Sequence, residues 1–272
     1  MSTYRLVAFN TATDNDNKIH DDATARRFGF SGGLVPGVEV FAYMSHVPAA
    51  LWGYDFLRRG FMSARFLKPV YDGDEAIAEG SPQGRGLVLT LSSRDILCAQ
   101  GGAHLVDPPN VTLDDIPFRT PFAAAARPDA SPESLAEGTV LGTCDTAFDE
   151  RYGAAYLSDT RETLAVYEGG AVTSPGWLLH HANFVLAKHV KLGPWIHVGS
   201  DVHFHGVLRG PGTLQTRARV TRHFETNGHL FTVLDVRVAH DGRVLMSGAH
   251  TAIYRPRQVR AVVETTLRRG PD

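Results

Sequence analysis

His20 and Gly37 are the residues of this chain whose types and spacing suit chemistry at a carbonyl. His20 lies in a polar stretch, Asn17-Lys18-Ile19-His20-Asp21-Asp22, and a histidine can take or give a proton near neutral pH. Seventeen residues later Pro36-Gly37 opens an apolar segment that reads as a helix. The first N–H groups of a helix have no partner within it and attract negative charge. A base facing such a helix start can move a proton while the N–H groups hold a developing oxyanion.

The elements that must position this pair can be read along the chain. Tyr4 to Phe9 has strand composition, and Thr11 to Asp22 reads as a loop. Ala23 to Phe28 reads as a short helix capped by Asp21 or Asp22, and Gly29 to Gly33 must turn. Val38 to Leu51 is apolar on all faces, the pattern of a buried helix. Phe61–Phe66, Ala76–Glu79 and Leu87–Ile96 read as strands, with a turn at Asp72-Gly73.

Two segments carry a family resemblance. Asn17, Ile19, His20, Ala25, Phe28 and Gly37 match the signature Asp-x-Asn-Pro-[Leu/Ile]-His, Ala, Phe, Gly. Phe66 to Asp74 matches Phe-x-x-Pro-Val-x-x-Gly-Asp through Pro69, Val70, Gly73 and Asp74. The chain thereby resembles the MaoC-like dehydratases and R-specific enoyl-CoA hydratases, which have the hotdog fold. Three positions depart from the signature: Asn15 stands for its Asp, Lys18 for its Pro and Pro36 for its His.

The resemblance implies that His20 is the base, that the Gly37 N–H holds the thioester oxygen, and that Asn17 shapes the loop or holds water. The carboxylate position falls on Asn15, whose amide cannot act as a base; Asp14 and Asp16 flank it, and a shift of one residue would bring a carboxylate back. Val35 and Pro36 are expected against substrate. Arg26, Arg27, Arg65 and Lys68 are the cations that could meet coenzyme A phosphates.

The second half repeats the first. Ser174-Pro175-Gly176 follows Val35-Pro36-Gly37 by 139 residues, and His203-Phe204 follows Arg65-Phe66 by 138. A helix over Trp177–Val190 and strands over Leu214–Val220, Leu230–Ala239 and Val244–Tyr254 complete the pattern. The expectation is an α+β double hotdog: two buried helices, each wrapped by antiparallel sheet, joined into one continuous sheet. Residues 1–106 would form the N-terminal hotdog, the Pro-rich stretch 107–138 a linker across the surface, and 139–272 the C-terminal hotdog. Asp159 occupies the position equivalent to His20, taken as a loop position, so the C-terminal half is degenerate and one site per chain is expected. His180 and His181, on the second helix, are candidates to reach the cleft from the other side.

The chain has 272 residues, 43% of them apolar, with 27 basic against 29 acidic side chains. This near balance, without a basic run, gives no reason to expect nucleic acid or a membrane surface as partner. A cytoplasmic protein is expected, with Cys98 and Cys144 as reduced thiols. Among the 13 histidines, His203 and His205 share a strand face, but no His-Glu-x-x-His or Cys-x-x-Cys occurs, so neither metal nor other cofactor is expected. The resemblance further implies an acyl-CoA or acyl-carrier-protein thioester as substrate and a homodimer. Three readings stay open at this level: a hydratase or dehydratase, a hotdog thioesterase with a carboxylate or polar group beside Gly37, and a non-catalytic acyl-thioester-binding protein.

Overall fold

A computed structural model describes residues 2–12, 17–27 and 29–258. Asp14, Asn15, Asp16 and Phe28 lie outside these residues. The N-terminal part runs β1 (Ser2–Val7), α1 (Asp22–Arg27), α2 (Gly37–Trp52), α3 (Tyr54–Arg59), β2 (Gly60–Phe66), β3 (Glu75–Gln83), β4 (Gly86–Ser93) and β5 (Ile96–Leu105). The C-terminal part runs β6 (Cys144–Phe148), α4 (Glu150–Asp159), α5 (Pro175–His189), β7 (Ile196–Phe204), β8 (Gly212–Thr226), β9 (His229–His240) and β10 (Arg243–Arg255).

All these strands form one antiparallel sheet in the order β1-β3-β4-β5-β2-β7-β10-β9-β8-β6. From either edge inward the order is the same, first strand, third, fourth, fifth, second. The seam is β2 against β7, from Phe61 opposite His203 to Arg65 opposite Gly199. Each half covers its part of the sheet with a central helix. Helix α2 lies on β3 and β4, α5 on β8, and the two helices touch each other.

Helix α2 buries Val38, Phe41, Met44 and Val47 on one stripe and Val40 and Tyr43 on others. Full burial of side chains the size of Phe41 or Met44 contributes roughly 1.5–3 kcal/mol each, which holds the helix start against the sheet. Asp21, just before α1, accepts from the Thr24 N–H at 2.9 Å and caps it.

One local feature differs from expectation. The strand expected over Leu87–Ile96 ends at Ser93, and Ile96–Leu105 is a further strand. The hairpin between them turns on Arg94 and Asp95, both with positive φ (52° and 59°). Residues 107–138 carry no strand, but they are not loose: Arg217 bonds the Asp114 carboxylate and the Ile116 carbonyl, and the Gly138 N–H donates to Val220.

Candidate active site

The Gly-rich turn delivers His20 to the start of α2. Gly33 packs so tightly on the His20 backbone that a Cβ there would sit 2.2 Å from the His20 carbonyl oxygen. The same carbonyl accepts from Asn10 Nδ2, and the Gly33 N–H donates to Asp22. The second motif docks alongside, with the Val35 N–H donating to the Val70 carbonyl.

The ring of His20 is oriented from both sides. Nδ1 lies 2.6 Å from the Leu34 carbonyl oxygen, which can only accept, so Nδ1 carries the hydrogen and Nε2 the lone pair. Asn17 Nδ2 stands 3.3 Å from that Nε2. Asn17 also reads the backbone of Trp195 in the other half, donating to its carbonyl and accepting from its N–H. Burial, opposed by the Leu34 contact and by Glu39 and seconded by His180, lowers the His20 pKa. The ring is thus a neutral base at neutral pH.

His20, Asn17, Pro36, Asn183 and Trp195 stand where two cavities meet. The smaller cavity, about 260 Å³, is mostly apolar: Phe30, Val35, Val40, Phe66, Val70 and Ile253 are among its walls, with Gly37 and His197 beside them. The larger, about 870 Å³, is more polar and includes Glu39, Asp159 and His180.

Glu39, in the first turn of α2, is fully buried. Its two oxygens accept from the Thr11 hydroxyl (2.9 Å) and the Tyr156 hydroxyl (2.7 Å). His180 Nδ1 is 3.5 Å from Glu39 Oε1. Donors of this kind offset the cost of burying a polar side chain. Asp159 shares this cavity; burial and then Glu39 raise its pKa, against Arg161.

Of the residues singled out in the sequence, Val35, Pro36 and Gly37 line the smaller cavity, His180 the larger, and His20 and Asn17 both. Asn15 and Asp16 lie outside the described residues. His181 is a correction: it is buried away from both cavities, with Nδ1 donating to the Trp177 carbonyl, because adjacent helix residues point about 100° apart. Asp159 is another, since it closes helix α4 rather than sitting in a loop. Among the four cations considered for phosphate contact, Lys68 borders the smaller cavity, whereas the cations lining the larger are Arg127, Lys188 and Lys191. Among the described residues, no group of three or more His, Cys, Asp or Glu is arranged to hold a metal ion. No described helix is long and apolar enough to cross a membrane.

Glu39 and His197 were missed from sequence. The signal for Glu39 was a lone charge in an otherwise apolar helix, which must be paired or functional. His197 gave none, since nothing in its spacing ties it to His20 or Gly37.

No family model matches this sequence, and no curated protein does. Solved structures do match in fold. A conserved hypothetical protein from Mycobacterium tuberculosis with a double hotdog fold aligns with a TM-score of 0.59 at 16% identity, over 93% of this chain and 95% of its own. A MaoC-like dehydratase aligns with a TM-score of 0.57 at 10% identity, over 93% and 98%. A Novosphingobium aromaticivorans protein described provisionally as a thioesterase aligns with a TM-score of 0.53 at 13% identity, over 82% and 89%. The chain has the double hotdog fold, and neighbours in that fold carry both dehydratase and thioesterase descriptions.

Proposed function

We propose that this chain is an acyl-thioester hydro-lyase, adding water to a 2-enoyl thioester or removing it from a 3-hydroxyacyl thioester with R stereochemistry. The observation that carries the reading is a neutral, oriented His20 at the junction of two cavities beside the uncapped start of α2. In hydration, His20 Nε2 takes a proton from water as the oxygen adds to C3. The charge runs to the thioester oxygen, held at the Gly37 N–H, and C2 then takes the proton from the His20 imidazolium, which returns the ring to neutral. An N–H donor aimed at such an oxygen contributes about 10²–10³ in rate.

Glu39 is our choice for the carboxylate partner. It is held by two hydroxyl donors, and its electrostatic effect on His20 favours the imidazolium that forms. Asp16, next to the signature position at Asn15, is the rival. Arg127, Lys188 and Lys191 make the larger cavity the side for the phosphates of coenzyme A or of a carrier-bound pantetheine.

The test is loss of the conjugated enoyl absorbance of 2-enoyl-CoA thioesters from short to long chain. His20→Ala is expected to lower turnover by about 10²–10⁴. Glu39→Gln should cost about 10² and Asp16→Asn little; the reverse ranking would return the carboxylate role to the loop. Full turnover in His20→Ala would refute the mechanism. A second reading, thioester hydrolysis, is favoured by the buried Glu39 carboxylate two residues beyond Gly37. Release of free thiol in the same cuvettes, abolished by Glu39→Gln, would establish it instead.

A further inference from the structure

His197, on β7, is a wall of the smaller cavity and carries an unpartnered ring nitrogen. It is 5% exposed, and its Nε2 lies 2.9 Å from Ser200 Oγ. The same hydroxyl lies 3.2 Å from Nδ1 of His250, itself buried on β10. The two imidazoles stack with centroids 4.1 Å apart, and Phe66 meets His197 edge-on. The outer nitrogens, His197 Nδ1 and His250 Nε2, are buried without a hydrogen-bond partner among the described residues. His197 Nδ1 faces the first residue of α2: a Cβ on Gly37 would stand 2.9 Å from it. Such an orphan is costly unless something supplies its bond.

Both rings are neutral. Burial, then His250, pushes the His197 pKa well down, against a smaller pull from the Gly199 backbone; burial alone takes His250 to about 3. Each ring therefore holds one hydrogen, and the shared hydroxyl allows two directions for the chain of bonds. In one, His197 donates to Ser200 and Ser200 to His250, which strands an N–H on His250 Nε2 in the core. In the other, His250 donates to Ser200 and Ser200 to His197. The stranded N–H is then on His197 Nδ1, beside Gly37 at the start of α2. An oxygen bound there satisfies it and selects this direction.

Building on the acyl-thioester reading, we propose that His197 Nδ1–H and the Gly37 N–H together hold the thioester carbonyl oxygen. The oxyanion site is then completed across the seam, with one donor from each half of the chain. Ser200 and His250 are positioning residues that fix the His197 tautomer.

The test compares binding of matched pairs, acyl-CoA thioesters from butanoyl to dodecanoyl and the corresponding S-alkyl-CoA thioethers, which lack only the carbonyl oxygen. Wild type is expected to bind the thioester about tenfold more tightly than its thioether, a difference of one good hydrogen bond. His197→Ala should shrink that preference several-fold, leaving what the Gly37 N–H supplies. His197→Asn, whose amide nitrogen takes the place of Nδ1, should restore part of it. In ¹⁵N-histidine spectra of wild type, the proton should settle on His197 Nδ1 with the thioester and not with the thioether, a signature that needs no variant to fold. Equal binding of both members of each pair by wild type, or an undiminished preference in His197→Ala, would overturn the assignment. Binding of neither series by wild type would overturn the acyl-thioester reading on which it rests.

Discussion

The two central helices begin with the same Pro-Gly pair and end up in opposite conditions. At α2, Pro36 is the residue before the helix and offers no side-chain cap, and Gly37 faces Phe66, His197 and the smaller cavity. At α5, the helix begins one residue earlier, on Pro175, and the Ser174 hydroxyl accepts from the Trp177 N–H. Gly176 is packed shut: a Cβ there would stand 2.5 Å from both Ala42 Cβ and the Tyr156 hydroxyl. That hydroxyl is the one that donates to Glu39. So the sealed end of one half braces a carboxylate of the other. The repeat has kept the backbone plan and divided the labour: one helix start stays open, and the other half supplies Trp195, His197 and Ile253 as walls.

Substituting the paired glycines would break this comparison with the largest effect. Gly37→Ala drives a methyl against His197 Nδ1 and, at 3.1 Å, Phe66. It should lower turnover by about 100-fold or more, since a displacement near 1 Å at the reacting centre costs that much. Stability should change little, because alanine is the better helix former by about 1 kcal/mol. Gly176→Ala should do the opposite: overpacking against Ala42 and Tyr156 should cost about 1–3 kcal/mol in denaturant unfolding and leave the rate of the folded fraction within a few-fold. Equal loss of rate in both variants would mean that the two helix starts are not functionally distinct.

The same division explains what was legible in the sequence. Pro36-Gly37 and Pro175-Gly176, spaced like Phe66 and Phe204, mark backbone that must dock the same way twice, and such constraints show in residue type. Asp21 and Gly73 likewise act locally, one as a cap and the other in a turn with φ 77°. The hairpin at Arg94-Asp95 escaped notice because neither residue is the Gly or Asn that positive φ favours. Strand β5 was hidden by Gly101-Gly102; its reason lies in β2, since a Cβ on Gly101 would collide with the Ser63 carbonyl. Glu39 takes its meaning from Tyr156, and His197 from Gly37 and His250, partners that only the fold brings together.

A pH profile sharpens the contrast between a working histidine and buried ones. His20 must be neutral to act as base, and burial first of all sets its pKa below the usual 6.5. The acid limb of kcat/KM should therefore lie below pH 6.5, falling about tenfold per unit there and flat through neutrality. His181, held near 4, and His250, near 3, stay neutral in the folded chain while their unfolded counterparts take protons near 6.5. Between about 6.5 and 4 the unfolded state thus binds more protons, so stability rises with pH across that window and is lost on acidification. An acid limb above pH 7 would contradict the neutral-base role. Stability that increased from pH 6.5 to 4 would contradict the burial of the other two as neutral rings.

The smallest expected effect concerns the caps themselves. Ser174→Ala removes the hydroxyl that accepts from Trp177 and should cost about 1 kcal/mol of stability with no change in turnover per folded molecule. The converse change, Pro36→Ser, installs a hydroxyl at the equivalent position of α2. It should stabilise modestly, by up to about 1 kcal/mol, and yet slow turnover a few-fold, because a capping oxygen competes with the substrate oxygen for the first-turn N–H groups. Thermal melts and single-turnover rates on the two variants read these signs separately. A Pro36→Ser protein that gained stability and kept its full rate would mean that the open start of α2 is a structural accident, and that the oxygen is held elsewhere.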